Sequence, residues 1–175
     1  MKNRILYEVV GQVVLDKATM FESMLEDWHG VAFCQLSMLL SATRALSMLH
    51  QTHHWLSKSG TFYGDHLLFE KIYDSTNVEI DKIAEKILGF ADDAMVDPVT
   101  SSEQCTRILK EMMRAPGDLY QKSENAEKAH LQLLTMVRES LDNDGNLSDG
   151  TDNMLTGFAD QHESNLYLLK RRNLG

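Results

Sequence analysis

The segment TFYGDHLLFEKIYDSTNVEIDKIAEKILG, residues 61–89, carries the reading of the whole chain. Phe62, His66, Phe69, Tyr73, Ile80, Ile83 and Ile87 recur at helical spacing, the pattern of one buried helix face. The spacing predicts a helix over about 61–88, ended by Gly89. The same period continues on either side. Leu36, Leu39, Leu40, Leu46 and Leu49 predict a helix over about 31–57. Ala126, Ala129, Leu133 and Val137 mark another over about 118–141, and Leu155, Phe158, His162, Leu166 and Leu169 a last one over about 149–172. A shorter helix is expected from Ser101 to Met113, with Ser102 as its N-cap. Pro98 and Pro116, the chain's two prolines, fall in loop-like stretches, and residues 142–150 are turn chemistry throughout.

Four long helices with a short extra helix in the middle connection mean an all-α, four-helix bundle. The connection, about 89–117, is long enough to cross the bundle, which is the ferritin-like arrangement. A single domain over 1–175 is expected, with 1–30 as an N-terminal extension and 31–172 as the bundle.

The chain has 175 residues, of which 43% are hydrophobic, enough for a full core without disulfide or metal staples. Its 17 Lys and Arg against 26 Asp and Glu give a net charge of −9. That balance argues against DNA or an acidic membrane as the main partner, because counterion release needs clustered cations. Cys34 and Cys105 make neither a disulfide framework nor a zinc motif, so a reducing cytoplasm is expected. No signal peptide or membrane span is read in the sequence.

The chemistry concentrates on the helix that opened the reading. His66 with Glu70, and Asp81 with Glu85, are two i, i+4 pairs, each able to clamp one side of a cation. With His66 at zero on a helical wheel, Glu70, Asp81 and Glu85 fall near 40°, 60° and 100°, beside the apolar stripe. Glu70 and Asp81 are eleven residues apart, about 16 Å of rise, whereas metal–ligand bonds are about 2–2.5 Å. One chain cannot bring both pairs to one ion. Two antiparallel copies can, with the two-fold axis near the small residues Ser75 and Thr76, and His54 is free to join. The bland alternative for each residue alone is a solvated carboxylate beside Lys82 or Lys86, or a satisfied core histidine. The joint pattern outweighs it.

These residues resemble a known family. His54-Trp55, Phe62, His66, Glu70, Tyr73 and the run Asp81 to Ile87 are similar to the signature of the Dps mini-ferritins, with matching spacing from His54 to Glu85. A weaker likeness continues through Asp149 to Asp152 and through His162-Glu163 near the C-terminus. The resemblance implies iron as the bound metal, held by His54, His66 and Glu70 of one subunit and by Asp81 and Glu85 of its two-fold mate. It implies a ferroxidase using hydrogen peroxide, a homo-oligomeric dodecameric shell storing ferric mineral, and Trp55 intercepting oxidising equivalents beside the site. For Trp55 the alternative is an aromatic plug at a helix end. Glu at 70 where Asp is usual, Ser-Gly-Thr at 59–61 in place of Gly-Pro, and Lys86 in place of Arg mark a divergent member.

Other constellations are weaker. Glu26-x-x-His29 and Glu127-x-x-His130 have the spacing of the intrachain di-iron site of ferritins, but the helix at 61–88 has no such motif. Both pairs therefore read as partly exposed helix faces. His50 and His53 lie close to His54, yet only His54 fits the family position. Lys170-Arg171-Arg172 reads as a complement to the helix dipole rather than a DNA hook. Asp142, Asp144, Asp149 and Asp152 read either as a solvated turn or, where the family has acidic pores, as an iron-gathering field. The expected function is ferrous-iron oxidation and storage. The alternatives are a DNA-binding shell and a scaffold with a degraded metal site.

Overall fold

The structure, a computed structural model, describes residues 31–58, 60–90 and 93–173. The expected N-terminal extension, with Glu26 and His29, lies outside the described residues. Among the described residues five α-helices follow in order: α1 Val31–Leu56, α2 Phe62–Phe90, α3 Pro98–Arg114, α4 Leu119–Asn143 and α5 Asp149–Asn173. A 3₁₀ turn at Asp93–Val96 precedes α3. Among the described residues there is no strand. No described helix is long and apolar enough to cross a membrane.

The fold is a ferritin-like four-helix bundle, as the periodicity predicts. The turns joining α1 to α2 and α4 to α5 are short and make each pair neighbours, while α3 and its flanking turns occupy the long middle connection. α1 packs on α2 and α4, α2 also meets α5, and α3 lies along the outside of α1. Leu36, Leu39, Leu46 and Leu49 of α1, Ile83 and Ile87 of α2, Leu133, Leu134 and Val137 of α4, and Leu155 and Phe158 of α5 share one buried core.

Two local differences from the sequence reading have physical causes. α3 starts at Pro98, not near Ser102. Proline at the first helical position loses no hydrogen bond and its φ suits the helix. Asp97 is the N-cap, and its carboxylate accepts from the Thr100 N–H at 2.7 Å. α2 also runs one residue past Gly89, to Phe90. α4 begins with a capping box, in which Asp118 accepts from the Gln121 N–H and the Gln121 side chain accepts from the Asp118 N–H.

An ion pair, buried at Asp65 and half-exposed at Arg172, closes one end of the bundle. Arg172, in the last turn of α5, donates from Nε and Nη2 to the two carboxylate oxygens of Asp65 in the first turn of α2. The Thr61 hydroxyl donates to the same carboxylate at 2.7 Å, and the guanidinium stacks on Tyr120 with 4.7 Å to the ring centroid. Burial would raise the Asp65 pKa, but the hydrogen bonds from Arg172, Tyr120 and Thr61 outweigh it and hold the group at about 2. A depressed carboxylate pKa stabilises the fold above the unfolded value, about 3.9, and that stabilisation fades as pH falls toward 2. Asp65→Asn is therefore expected to lower stability by about 1.5–3 kcal/mol at pH 7. Urea unfolding should show the gap from wild type closing between pH 4 and pH 2 (about the interval between the two pKa values). A gap independent of pH contradicts the assignment.

Candidate functional site

Two groups of ligand-type side chains form, one at the end of the α1–α2 hairpin and one inside the bundle. At the hairpin, His54 from the last turn of α1 stacks on His66 from the second turn of α2, with ring centroids 3.6 Å apart. The stacking is locked reciprocally. Nδ1 of His54 lies 2.8 Å from the His66 carbonyl, and Nδ1 of His66 lies 3.1 Å from the His54 carbonyl. A carbonyl only accepts, so Nδ1 carries a proton in both rings, and Nε2 is the ring nitrogen left for another partner. That is the arrangement of imidazoles that ligate metals. Phe62 and Tyr73 pack against this pair at 5.1 and 5.4 Å between ring centroids.

The carboxylates of the sequence-read set lie along the same helix. Glu70 is half-buried one turn beyond His66, whereas Asp81 and Glu85 are exposed farther along α2. Within one chain the five residues do not converge. Trp55 is 66% exposed, so it is no packing plug within its own subunit. Thr76 does not face outward with Ser75. It is fully buried, and its hydroxyl donates to the Ile72 carbonyl at 2.8 Å. In the acidic turn Asp142, Asp144 and Asp149 are exposed, while Asp152 is paired with Arg138 across the α4–α5 hairpin.

The interior group corrects the reading of Glu127 and His130 as partly exposed helix faces. Both are buried, at 0% and 2% exposure. They turn inward because they continue the stripe that carries Ala126, Leu133, Leu134 and Val137. His162 of α5 meets Glu127 from the facing helix, Nδ1 to Oε2 at 2.6 Å, and its other nitrogen, Nε2, meets Oε2 of Glu79 on α2 at 2.9 Å. His50 of α1 brings its Nε2 to 2.9 Å from Oε1 of Glu127, but off the line a hydrogen bond needs. All four long helices therefore contribute to one polar layer.

The protonation pattern follows from geometry. Burial opposes charge on both partners of the Glu127–His162 pair, yet each holds the other ionised. Glu127 is kept below the usual carboxylate range, and His162 above the usual imidazole range with help from Glu79. Burial raises the Glu79 carboxyl, partly offset by His162. His130 is driven well below its ordinary value by burial and then by His162, so it is neutral. The ligand atoms of Glu79, His130 and His162 lie within 4.8 Å of one another, the one such trio found among the described residues.

Nearer the hairpin end, His53 is also neutral. Burial and His50 lower it to about 3, and its Nδ1 meets the Ser123 hydroxyl at 2.6 Å.

No protein-family model matches the chain. No curated protein matches it in sequence. Solved structures do match. The chain is similar to Dps from Thermosynechococcus elongatus, with TM-score 0.65, 18% identity, and 80% of this chain and 88% of that one covered. It is similar to DpsC from Streptomyces coelicolor, with TM-score 0.65, 24% identity and coverages of 81% and 83%. It is also similar to a Dps protein from Vibrio cholerae O1, described as a member of a broad superfamily of ferritin-like diiron-carboxylate proteins, with TM-score 0.63, 18% identity and coverages of 80% and 87%. At these identities the likeness is one of fold, and it spans the bundle.

Removing one member of a buried ion pair leaves the other charge uncompensated, at a cost of about 3–5 kcal/mol. His162→Gln is expected to lose that much unfolding free energy, whereas Glu70→Gln on the half-exposed flank should stay within about 0.5 kcal/mol of wild type. Chemical denaturation of the two variants checks this. Equal costs contradict the charge assignment.

Proposed function

We propose that two copies of this chain associate through α2 and oxidise ferrous iron at two equivalent sites shared between them, the ferric product being stored in a shell of such dimers. The observation that carries this reading is the His54–His66 pair, with both Nδ1 atoms tied to backbone and neither Nε2 hydrogen-bonded among the described residues. On the α2 face beside it, Tyr63, Leu67, Glu70, Asp74, Val78, Asp81 and Glu85 fall within about 80° of arc. Apolar Tyr63, Leu67 and Val78 stand 73%, 41% and 55% exposed among those carboxylates. An exposed apolar stripe interleaved with unmatched ligands fits a face covered by another molecule. The half-set of ligands argues that the other molecule is a second copy, because a two-fold brings Asp81 and Glu85 of one chain to His54, His66 and Glu70 of the other.

Fe²⁺ is the substrate. Imidazole and carboxylate accept both iron states, and the carboxylates favour the more highly charged product. With hydrogen peroxide as oxidant, two ferrous ions each give one electron. The O–O bond breaks, two protons are taken up, and two waters leave without release of hydroxyl radical. Glu70, Asp81 and Glu85 hold the ions, and the fixed Nδ1–H bonds keep the His54 and His66 rings aimed at them. Trp55 is exposed next to His54, which supports a role in intercepting an oxidising equivalent that escapes. A dodecameric, cytoplasmic shell is what the resemblance to the Dps mini-ferritins implies. DNA binding is not expected at a net charge of −9.

Anaerobic loading with Fe²⁺ followed by peroxide tests the site. His66→Ala with Asp81→Ala should slow iron oxidation at least tenfold, in line with about 10–100-fold for disturbing a metal site's supporting residues alone. Wild-type rates in the double variant would sink the assignment. The native mass of the wild-type protein should be an even multiple of the 19.9 kDa chain, and a monomer is incompatible with shared sites.

A further inference from the structure

The polar layer inside the bundle is not used by the shared site. It lies within one chain, whereas the proposed iron-oxidising ligands lie at the hairpin end and on the outer flank of α2. Both ring nitrogens of His130 lack a hydrogen-bond partner although the residue is 2% exposed. Neutral imidazole in this setting is a free ligand. His130 is also one of the three residues whose ligand atoms approach within 4.8 Å, together with Glu79 and His162. His50 is fully buried too, and neither of its ring nitrogens has an aligned hydrogen-bond partner.

We propose that each bundle binds one divalent first-row transition-metal ion inside a single chain, through Glu79 of α2, His130 of α4 and Nε2 of His162 of α5. The ion takes the place of the Nε2–Glu79 hydrogen bond, and the Nε2 proton leaves to solvent. The Nδ1–Glu127 bond stays, which makes Glu127 the carboxylate behind a metal-bound histidine, the support that orients such rings. His50 Nε2 lies 2.9 Å from the other oxygen of Glu127, without an aligned hydrogen bond to it. Two imidazoles and one carboxylate are a donor set for Zn²⁺, Fe²⁺ or Co²⁺ rather than for Mg²⁺ or Ca²⁺.

The sequence also limits the nuclearity to one. A di-iron bundle site takes Glu-x-x-His from two helices. Here only α4 supplies that motif, as Glu127-x-x-His130. On α2 the residue three after Glu79 is Lys82, and on α5 the residue three before His162 is Ala159. Neither extends the set to a second ion.

The test uses the full-length protein carrying Asp81→Ala and Glu85→Ala, which lacks the carboxylates of the shared site. After chelator treatment it is titrated anaerobically with Co²⁺, and bound metal is counted by mass spectrometry. The expected result is one Co²⁺ per chain with visible ligand-field bands, displaced by Zn²⁺, and a raised thermal midpoint in Zn²⁺. Adding His130→Gln should weaken Co²⁺ binding at least tenfold with the native mass unchanged. If that variant does not fold, Glu79→Gln in the same background serves, with the same expectation. A background protein that retains no Co²⁺, or a folded His130→Gln or Glu79→Gln variant that binds it as tightly, overturns the inference. Iron oxidation by the background protein reports separately on the shared site, so the two readings fail independently.

Discussion

Two carboxylates, Glu79 and Glu127, are buried between helices, and His162 is the cation set between them. The rest of the bundle depends on that contact. An uncompensated carboxylate in such an interior costs several kcal/mol, so α2, α4 and α5 can be packed together only in the register that puts His162 between its two partners. The apolar layers follow from that register. Ile83 and Ile87, four and eight residues after Glu79, and Leu133, Leu134 and Val137, six to ten residues after Glu127, join the same core as Leu46 and Leu49 of α1. Hydrophobic burial supplies the bulk of the stabilisation, but it tolerates sliding. A charged contact with fixed hydrogen bonds does not.

A second constraint, distance, governs the outer face. The ligand pairs on α2 are too far apart along one rigid helix to serve one ion, and the side chains between them face either the core, as Thr76 does, or the open flank, as Asp74 and Val78 do. On the proposed reading the helix is half of two sites rather than the whole of one. The same chain holds its interior histidines by the opposite logic, with ligands from three helices converging within a single copy. The two groups share neither residues nor exposure, so the bundle can be stable and closed in its middle while its hairpin end stays open to ions.

Much of this was legible from spacing. The helices were, because leucines and isoleucines at period 3.6 report the buried face directly, and the ends shift by only a few residues. The start of α3 was not, since Pro98 reads as a loop residue unless Asp97 is recognised as the cap before it. For the outer group, His66, Glu70, Asp81 and Glu85 stand out as paired ligands on a flank. The interior group is hidden for the converse reason. Glu79 sits in the apolar stripe between Thr76 and Ile83, so a search for paired exposed ligands passes over it. His50 and His162 look like ordinary core residues of their helices, and Glu127-x-x-His130 like half a motif. The available signal was a polar residue at a core position in each of four helices. It acquires chemical meaning only when the fold brings those positions to one level.

The claim that two chains build one iron-oxidising site is tested most directly by mixing two inactive variants. Chains carrying His66→Ala and chains carrying Asp81→Ala are co-assembled in equal amounts from dissociated protein. In a mixed dimer one site then combines both substitutions, and the other keeps its full ligand set. Random pairing makes half the dimers mixed, so about a quarter of all sites are intact. The account predicts peroxide-driven iron oxidation at about a quarter of the wild-type rate in the co-assembled sample, with neither variant active alone. Co-assembled protein as inactive as its parents would show that His66 and Asp81 do not meet across a subunit boundary.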